Sequence, residues 1–203
     1  ELVFYDISAS TKESIVNRDW VSKIAEVINI PFCVAGGIKT LDHAREILNL
    51  GADKISINTP ALDNPKLIKE LSDEFGSQCV VIGMDIKIID NEAYLFAKTG
   101  NEKTAYSTDI LASNWIVKVQ ELGAGEVVIN AMGQDGVQQG YDIDLLQTLE
   151  KFCSIPMIAS GGAGGPQDFI DVFKKTNVDG ALAASIFHRN KFSIGGIKEV
   201  LKT

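Results

Sequence analysis

A (β/α)8 barrel built from two similar halves is the fold class this sequence predicts, and three observations predict it. Seven short apolar runs recur along 203 residues. Amphipathic segments of helical period separate them. Two stretches, IPFCVAGGI at 30–38 and IPMIASGGA at 155–163, share the frame I-P-x-x-x-A/S-G-G at nearly the same place in each half of the chain.

The apolar runs are LVFYD (2–6), IPFCVAGG (30–37), KISIN (54–58), CVVIGMD (79–85), EVVINAM (126–132), IPMIASGG (155–162) and GALAAS (180–185). They lack polar alternation, as expected of parallel strands covered by helices on both faces. Apolar residues at helical spacing place those helices at 18–28, 41–50, 65–75, 112–122, 145–152 and 166–174. No glycine-rich dinucleotide fingerprint follows the first run, which favours a barrel over a doubly wound sheet. A barrel needs eight strands. The expectation is therefore one barrel domain spanning 1–203 whose first βα unit is absent, leaving strand edges open to aggregation. The one long interruption, 86–109, contains Tyr94-Leu95-Phe96-Ala97, a candidate hairpin at the active-site face.

The repeat extends beyond the glycine frames. GADKISIN (51–58) falls opposite VDGALAAS (178–185), and ELVFYDISAS (1–10) opposite EVVINAMGQD (126–135).

Composition narrows function. A net charge of −8 and a pI near 4.8 exclude a sequence-independent nucleic-acid binder, which needs a basic stripe. No run approaches a membrane span, and ELVFYDIS lacks the regions of a signal peptide. Cys33, Cys79 and Cys153 form no C-x-x-C pair and read as reduced core residues of a cytoplasmic protein. His43 and His188 are scattered without ligand spacing, so no metal site is expected.

Chemistry is expected where the runs end. Gly36-Gly37 lets backbone N–H groups approach an anion, and Asn58 and Thr59 at the next strand's end can donate to it. Ser160, Gly161 and Gly162, with Ala184-Ser185 before an apolar helix start, repeat the arrangement. Two matched cradles fit a substrate carrying two phosphates; the bland alternative is glycines that only permit tight turns.

With these residues in view, the chain resembles the cyclase-subunit family of imidazole glycerol phosphate synthase. The resemblance rests on PFCVAGGIKTLDHAREIL, GADKISINTPAL, FGSQCVVIGMD, QDGVQQGYD and PMIASGGAGG followed by ALAASIFH, and runs from Glu1 to about Leu201. It implies a bisphosphate substrate, a phosphoribulosyl-formimino aminoimidazole carboxamide ribotide, attacked by ammonia and cleaved to imidazole glycerol phosphate, with no cofactor. It implies Asp85 as a general acid or base, its partner aspartate lying outside this chain. Asp135, with Gly136 and Asn130, would contact substrate, although Asp135 could instead cap a turn with Gly136. Asp6 would orient groups at the mouth or cap a helix.

The resemblance also assigns the strand starts. Glu1, Lys54 and Glu126 would form a charged inlet for ammonia from a glutaminase subunit at the N-terminal face, and Asp53 would dock that partner. Ordinary solvated strand starts are the alternative. Two relatives of this reading remain open: the isomerase of the preceding pathway step, and a non-cyclising paralogue that channels ammonia to a sugar amidotransferase.

Overall fold

A computed structural model describes residues 1–6, 16–101, 103–134 and 136–202. In chain order its strands and helices are β1 (Leu2–Tyr5), α1 (Arg18–Ala25), β2 (Phe32–Ala35), α2 (Leu41–Asn49), β3 (Lys54–Ile57), α3 (Thr59–Asp63) and α4 (Lys66–Phe75). Then follow β4 (Val80–Ile89), β5 (Glu92–Ala97), β6 (Tyr106–Leu111), α5 (Ala112–Glu121) and β7 (Glu126–Ala131). The chain closes with α6 (Ile143–Leu149), β8 (Met157–Ser160), α7 (Pro166–Lys175), β9 (Gly180–Leu182), α8 (Ser185–His188) and α9 (Ile194–Leu201). The seven apolar runs all contain strands.

Two compact units make up the chain. The first comprises Glu1–Gly83, Phe96–Thr108 and Lys118–Glu126; the second Met84–Leu95, Asp109–Val117 and Val127–Thr203. In the first, β1, β2, β3 and the start of β4 lie side by side in parallel, with Leu2 opposite Phe32, Cys33 opposite Lys54 and Ile55 opposite Val80. In the second, β7, β8 and β9 are parallel, with Val127 opposite Met157 and Ile158 opposite Gly180. Val34, Ile55 and Val80 in one unit and Val127 and Ala159 in the other are fully buried. Burial of each larger aliphatic side chain contributes roughly 2 kcal/mol, which explains the unbroken apolar runs.

Each unit carries the same clamp at the start of its strands. The Asp53 N–H donates to the Phe32 carbonyl (2.8 Å), and the Phe32 N–H donates back to Asp53 Oδ2 (2.8 Å). Asp179 and Met157 make the same pair of bonds, at 2.9 and 2.9 Å. Asp53→Ala and Asp179→Ala each orphan one backbone N–H, and each is expected to cost about 1 kcal/mol. Thermal unfolding checks this: a matched pair lowers the midpoint by similar amounts.

The clamp corrects the repeat register. Cys33 and Ile158 are the second residues of β2 and β8, so their partners Lys54 and Gly180 correspond, and Asn58 corresponds to Ala184. The sequence alignment, which set Asn58 against Ser185, is one residue out.

The interruption at 86–109 holds more structure than its sequence suggests. β4 runs on to Ile89, and Asp90 and Asn91 turn the chain with φ of 50° and 66°. Both central residues at positive φ is the turn that matches strand twist in a two-residue hairpin. β5 pairs back on β4 and also with β6, a strand absent from the sequence reading. Its sequence, YSTDIL, is half exposed and carries Asp109 at φ 56°, so neither apolarity nor period marks it.

Candidate active site

At the C-terminal strand ends of the first unit, Gly36 and Gly37 turn the chain with φ of 127° and 68°. A Cβ on Gly36 would sit 2.7 Å from the Asp6 carbonyl oxygen, so this glycine lets the end of β1 pass. The Asp6 backbone thereby passes close to the first glycine pair. Asn58 precedes α3 and Thr59 opens it, with Ala61 and Leu62 N–H groups donating to the Asn58 carbonyl (2.8 and 3.2 Å). Thr59 Oγ1 accepts the N–H of Lys98, 2.9 Å away, in the loop after β5. A Cβ on Gly83 would meet Ser56 Oγ and Asn58 Cβ only at ordinary van der Waals distance.

The second unit repeats this with variations. Gly161 and Gly162 have φ of 88° and 102°, and Ala184 precedes α8 as Asn58 precedes α3. The Phe187 and His188 N–H groups donate to the Ala184 carbonyl at 3.1 and 3.0 Å. Ser185 Oγ accepts from Gln138 Nε2 (3.2 Å), whose Oε1 in turn accepts Lys191 Nζ (2.6 Å). The loop after β7 is also stapled by Gly140 N–H to the Gly162 carbonyl (2.9 Å) and by Tyr141 Oη–H to the Leu182 carbonyl (3.0 Å). Gly136, in that loop, has φ 74° and open space around its Cα. Asp135 lies outside the described residues.

Asp85 stands in β4 and accepts a hydrogen bond on Oδ1 from Asn130 Nδ2 at 2.7 Å. Asn130 is the penultimate residue of β7, opposite Ser160 of β8. Asp85, which lies inside β4 rather than at its end as the apolar run suggests, and Asn130 and Ser160, near the C-terminal ends of β7 and β8, thus come together on adjacent strands of one unit. His188 is exposed, and among the described residues no group of three His, Cys, Asp or Glu side chains is placed to hold a metal ion.

At the N-terminal strand ends of the first unit, Lys54 Nζ bonds Glu1 Oε2 (2.8 Å) and Glu126 Oε2 (2.7 Å). The three charges are mostly shielded, with side chains 21, 29 and 13% exposed in that order. Burial alone would lower the Lys54 pKa, but the hydrogen bonds to both glutamates outweigh it and hold the ammonium above the ordinary lysine value. That stabilisation is complete below about pH 10.4 and is lost as pH rises through the raised folded value. Lys54→Met, which leaves two carboxylates facing one another, is expected to cost about 2 kcal/mol at pH 7. Melting curves from pH 7 to 11 should show the native protein losing stability at the alkaline end more steeply than the variant.

Beneath this cluster, burial followed by Glu1 and Glu126 pushes the Cys33 thiol up, with Lys54 opposing. Cys33 is buried, whereas Cys79 and Cys153 are only half-buried, which corrects the expectation of three core cysteines. Sequence reasoning missed Lys98, Gln138 and Lys191. Each acts through loop geometry rather than a strand-end motif, and Gln138 holds φ 60°, a conformation that no residue type at that position announces.

Fold and site define the class: a parallel α/β protein with glycine turns at C-terminal strand ends, a carboxylate on β4 and a charged cluster at the N-terminal ends of strands in its first unit. The model of the histidine biosynthesis protein family matches residues 1–193. Imidazole glycerol phosphate synthase subunit HisF of Psychromonas ingrahamii is 56% identical over 206 residues, covering all of this chain and 80% of that protein. The subunits of the same name from Pseudoalteromonas translucida and Aliivibrio fischeri strain ES114 are 53 and 52% identical, each covering 99% of this chain and 79% of theirs. The chain belongs to the histidine biosynthesis family and, within it, to the HisF subunits, the cyclase component of imidazole glycerol phosphate synthase. Of the readings the sequence left open, membership favours the synthase over the isomerase and the channelling paralogue.

Proposed function

We propose that this lyase binds its bisphosphate substrate by two anion cradles, Gly36-Gly37 with Asn58 and Thr59, and Ser160-Gly161-Gly162 with Ala184 and Ser185. Asp85 exchanges protons as ammonia adds, water leaves, the imidazole ring closes and the glycerol phosphate product separates from aminoimidazole carboxamide ribotide. Each of these steps moves a proton, which is the work a positioned carboxylate does best. Asp6 serves as an orienting group, and Asp135 with Gly136 contacts the substrate. A glutaminase subunit docks at the N-terminal strand ends around Asp53 and delivers ammonia past Lys54, Glu1 and Glu126, in the cytoplasm.

The observation that carries this reading is the matched pair of strand-end glycine turns, each followed one strand later by a short helix opened by a hydroxyl residue, Thr59 or Ser185. In both, a loop donor already engages that hydroxyl, from Lys98 in one unit and Gln138 in the other. Such hydroxyls and backbone N–H groups are what a phosphate ester requires. The ion cluster supports the partner side of the reading, since three charges are held together where no substrate group is expected.

Amide chemical-shift titration with inorganic phosphate tests the cradles. The reading expects two separate sets of responding amides, around 36–37 and 58–61 and around 161–162 and 184–187. The bisphosphate substrate should displace both at a stoichiometry of one. Perturbation of a single set, or of neither, would overturn the two-cradle assignment.

A further inference from the structure

The hydrogen bond between Asn130 and Asp85 has a chemical consequence for the reaction just described, and it rests on the reading of Asp85 as the proton-transferring group. We propose that Asn130 is a positioning residue, which fixes the rotation of the Asp85 carboxylate and so the direction of its proton-exchanging lone pairs, rather than a ligand of the substrate.

Three observations converge on this. The Asn130 amide nitrogen donates to Asp85 Oδ1 at 2.7 Å, in a part-buried setting. The strands that carry the two residues are locked together just beyond them, where the Met132 N–H donates to the Ile86 carbonyl at 2.9 Å. The amide's other side lies where only a glycine leaves it room: a Cβ on Gly161 would lie 3.0 Å from Asn130 Oδ1 and 2.9 Å from the Ala131 carbonyl oxygen. The amide thus presents its nitrogen to the carboxylate and its oxygen to a residue that offers no side chain. Gly161 serves a second purpose beyond admitting an anion, because it makes room for the group that orients Asp85. The second glycine turn and the carboxylate are linked through one side chain.

An amide N–H donates and does not accept a proton from a carboxylate, so Asn130 stands outside the proton transfers themselves. Its contribution is alignment. A reacting group displaced by about 1 Å loses on the order of 100-fold in rate, and loss of the Asn130 donor removes the bond that fixes Oδ1 of the carboxylate.

The test is steady-state kinetics of the enzyme with ammonium salt as nitrogen source. Asn130→Ala is expected to lower kcat roughly 100-fold while KM changes less than about threefold. Asn130→Asp, which keeps the shape but loses the donor, should lose at least as much, and it guards against a packing defect in the alanine variant. In an Asp85→Asn background, Asn130→Ala should add less than about twofold, since residues acting through one another are not additive. A raised KM with kcat intact would mark a substrate ligand and overturn the proposal. So would wild-type kcat in Asn130→Asp, or a full additional loss on top of Asp85→Asn. Wild-type turnover in the same assay reports separately on the proposed reaction: a wild-type enzyme that does not turn over sinks that reading, not this one.

Discussion

Asp85→Asn is expected to lower ammonia-driven kcat by about 1,000-fold, within the range over which a positioned acid or base accelerates a reaction. The substitution is nearly isosteric, and an amide oxygen can still accept the 2.7 Å hydrogen bond from Asn130. Folding and substrate binding should therefore survive. KM is expected to stay within about threefold, because the phosphates, not the carboxylate, supply the binding energy in this account. Stopped-time product analysis by chromatography checks the rate, and calorimetric titration with substrate checks the binding. A variant that binds normally and turns over at the wild-type rate would remove Asp85 from the chemistry.

The largest structural effect is expected from Gly162→Ala. Gly162 holds φ 102°, and a Cβ there would lie 2.0 Å from the Gly140 carbonyl oxygen, a backbone atom that cannot swing aside. The same Gly140 donates its N–H to the Gly162 carbonyl, so relief of the clash breaks the staple between the glycine turn and the loop after β7. Strain at such a φ and the displaced backbone together should cost about 4 kcal/mol, or a fall of roughly 12 °C in the unfolding midpoint. Gly136→Ala is the control. It sits at φ 74° in the neighbouring loop with nothing within 4 Å, so only the backbone strain applies. About 1 kcal/mol is expected there. Differential scanning calorimetry of the two variants separates conformational strain from steric collision, and equal losses would contradict the packing described for the second turn.

The candidate site residues are legible in the sequence because they sit where apolar runs stop. Gly36-Gly37, Gly161-Gly162, Asn58 and Asp85 each close an apolar run, and within each unit parallel strands bring the ends of such runs to one end of the sheet, although β4 continues past Asp85 to Ile89. The charged starts Lys54 and Glu126 were visible for the complementary reason, as polar residues ahead of buried ones. Their grouping with Glu1 follows from side-chain reach, which no spacing shows. Asp53 illustrates the limit. As a lone acidic residue it reads as surface, and only its backbone bond to Phe32 and the identical arrangement of Asp179 with Met157 show a clamp that sets strand register. The same clamp exposed the one-residue error in the repeat alignment, since the frames around β3 and β9 differ too much in side chain to be aligned by eye. Gln138 and β6 stayed hidden because a positive φ at glutamine and a half-exposed strand leave no compositional trace.

The most direct measurement is turnover of the phosphoribulosyl-formimino aminoimidazole carboxamide ribotide by the enzyme with an ammonium salt in place of glutamine, and with imidazole glycerol phosphate and aminoimidazole carboxamide ribotide both quantified. The account predicts the two products in equal amounts, formed only when ammonia is present and suppressed by Asp85→Asn. Tight binding of the substrate with no ring-closed product, by protein that is folded and saturated with ammonia, would contradict it.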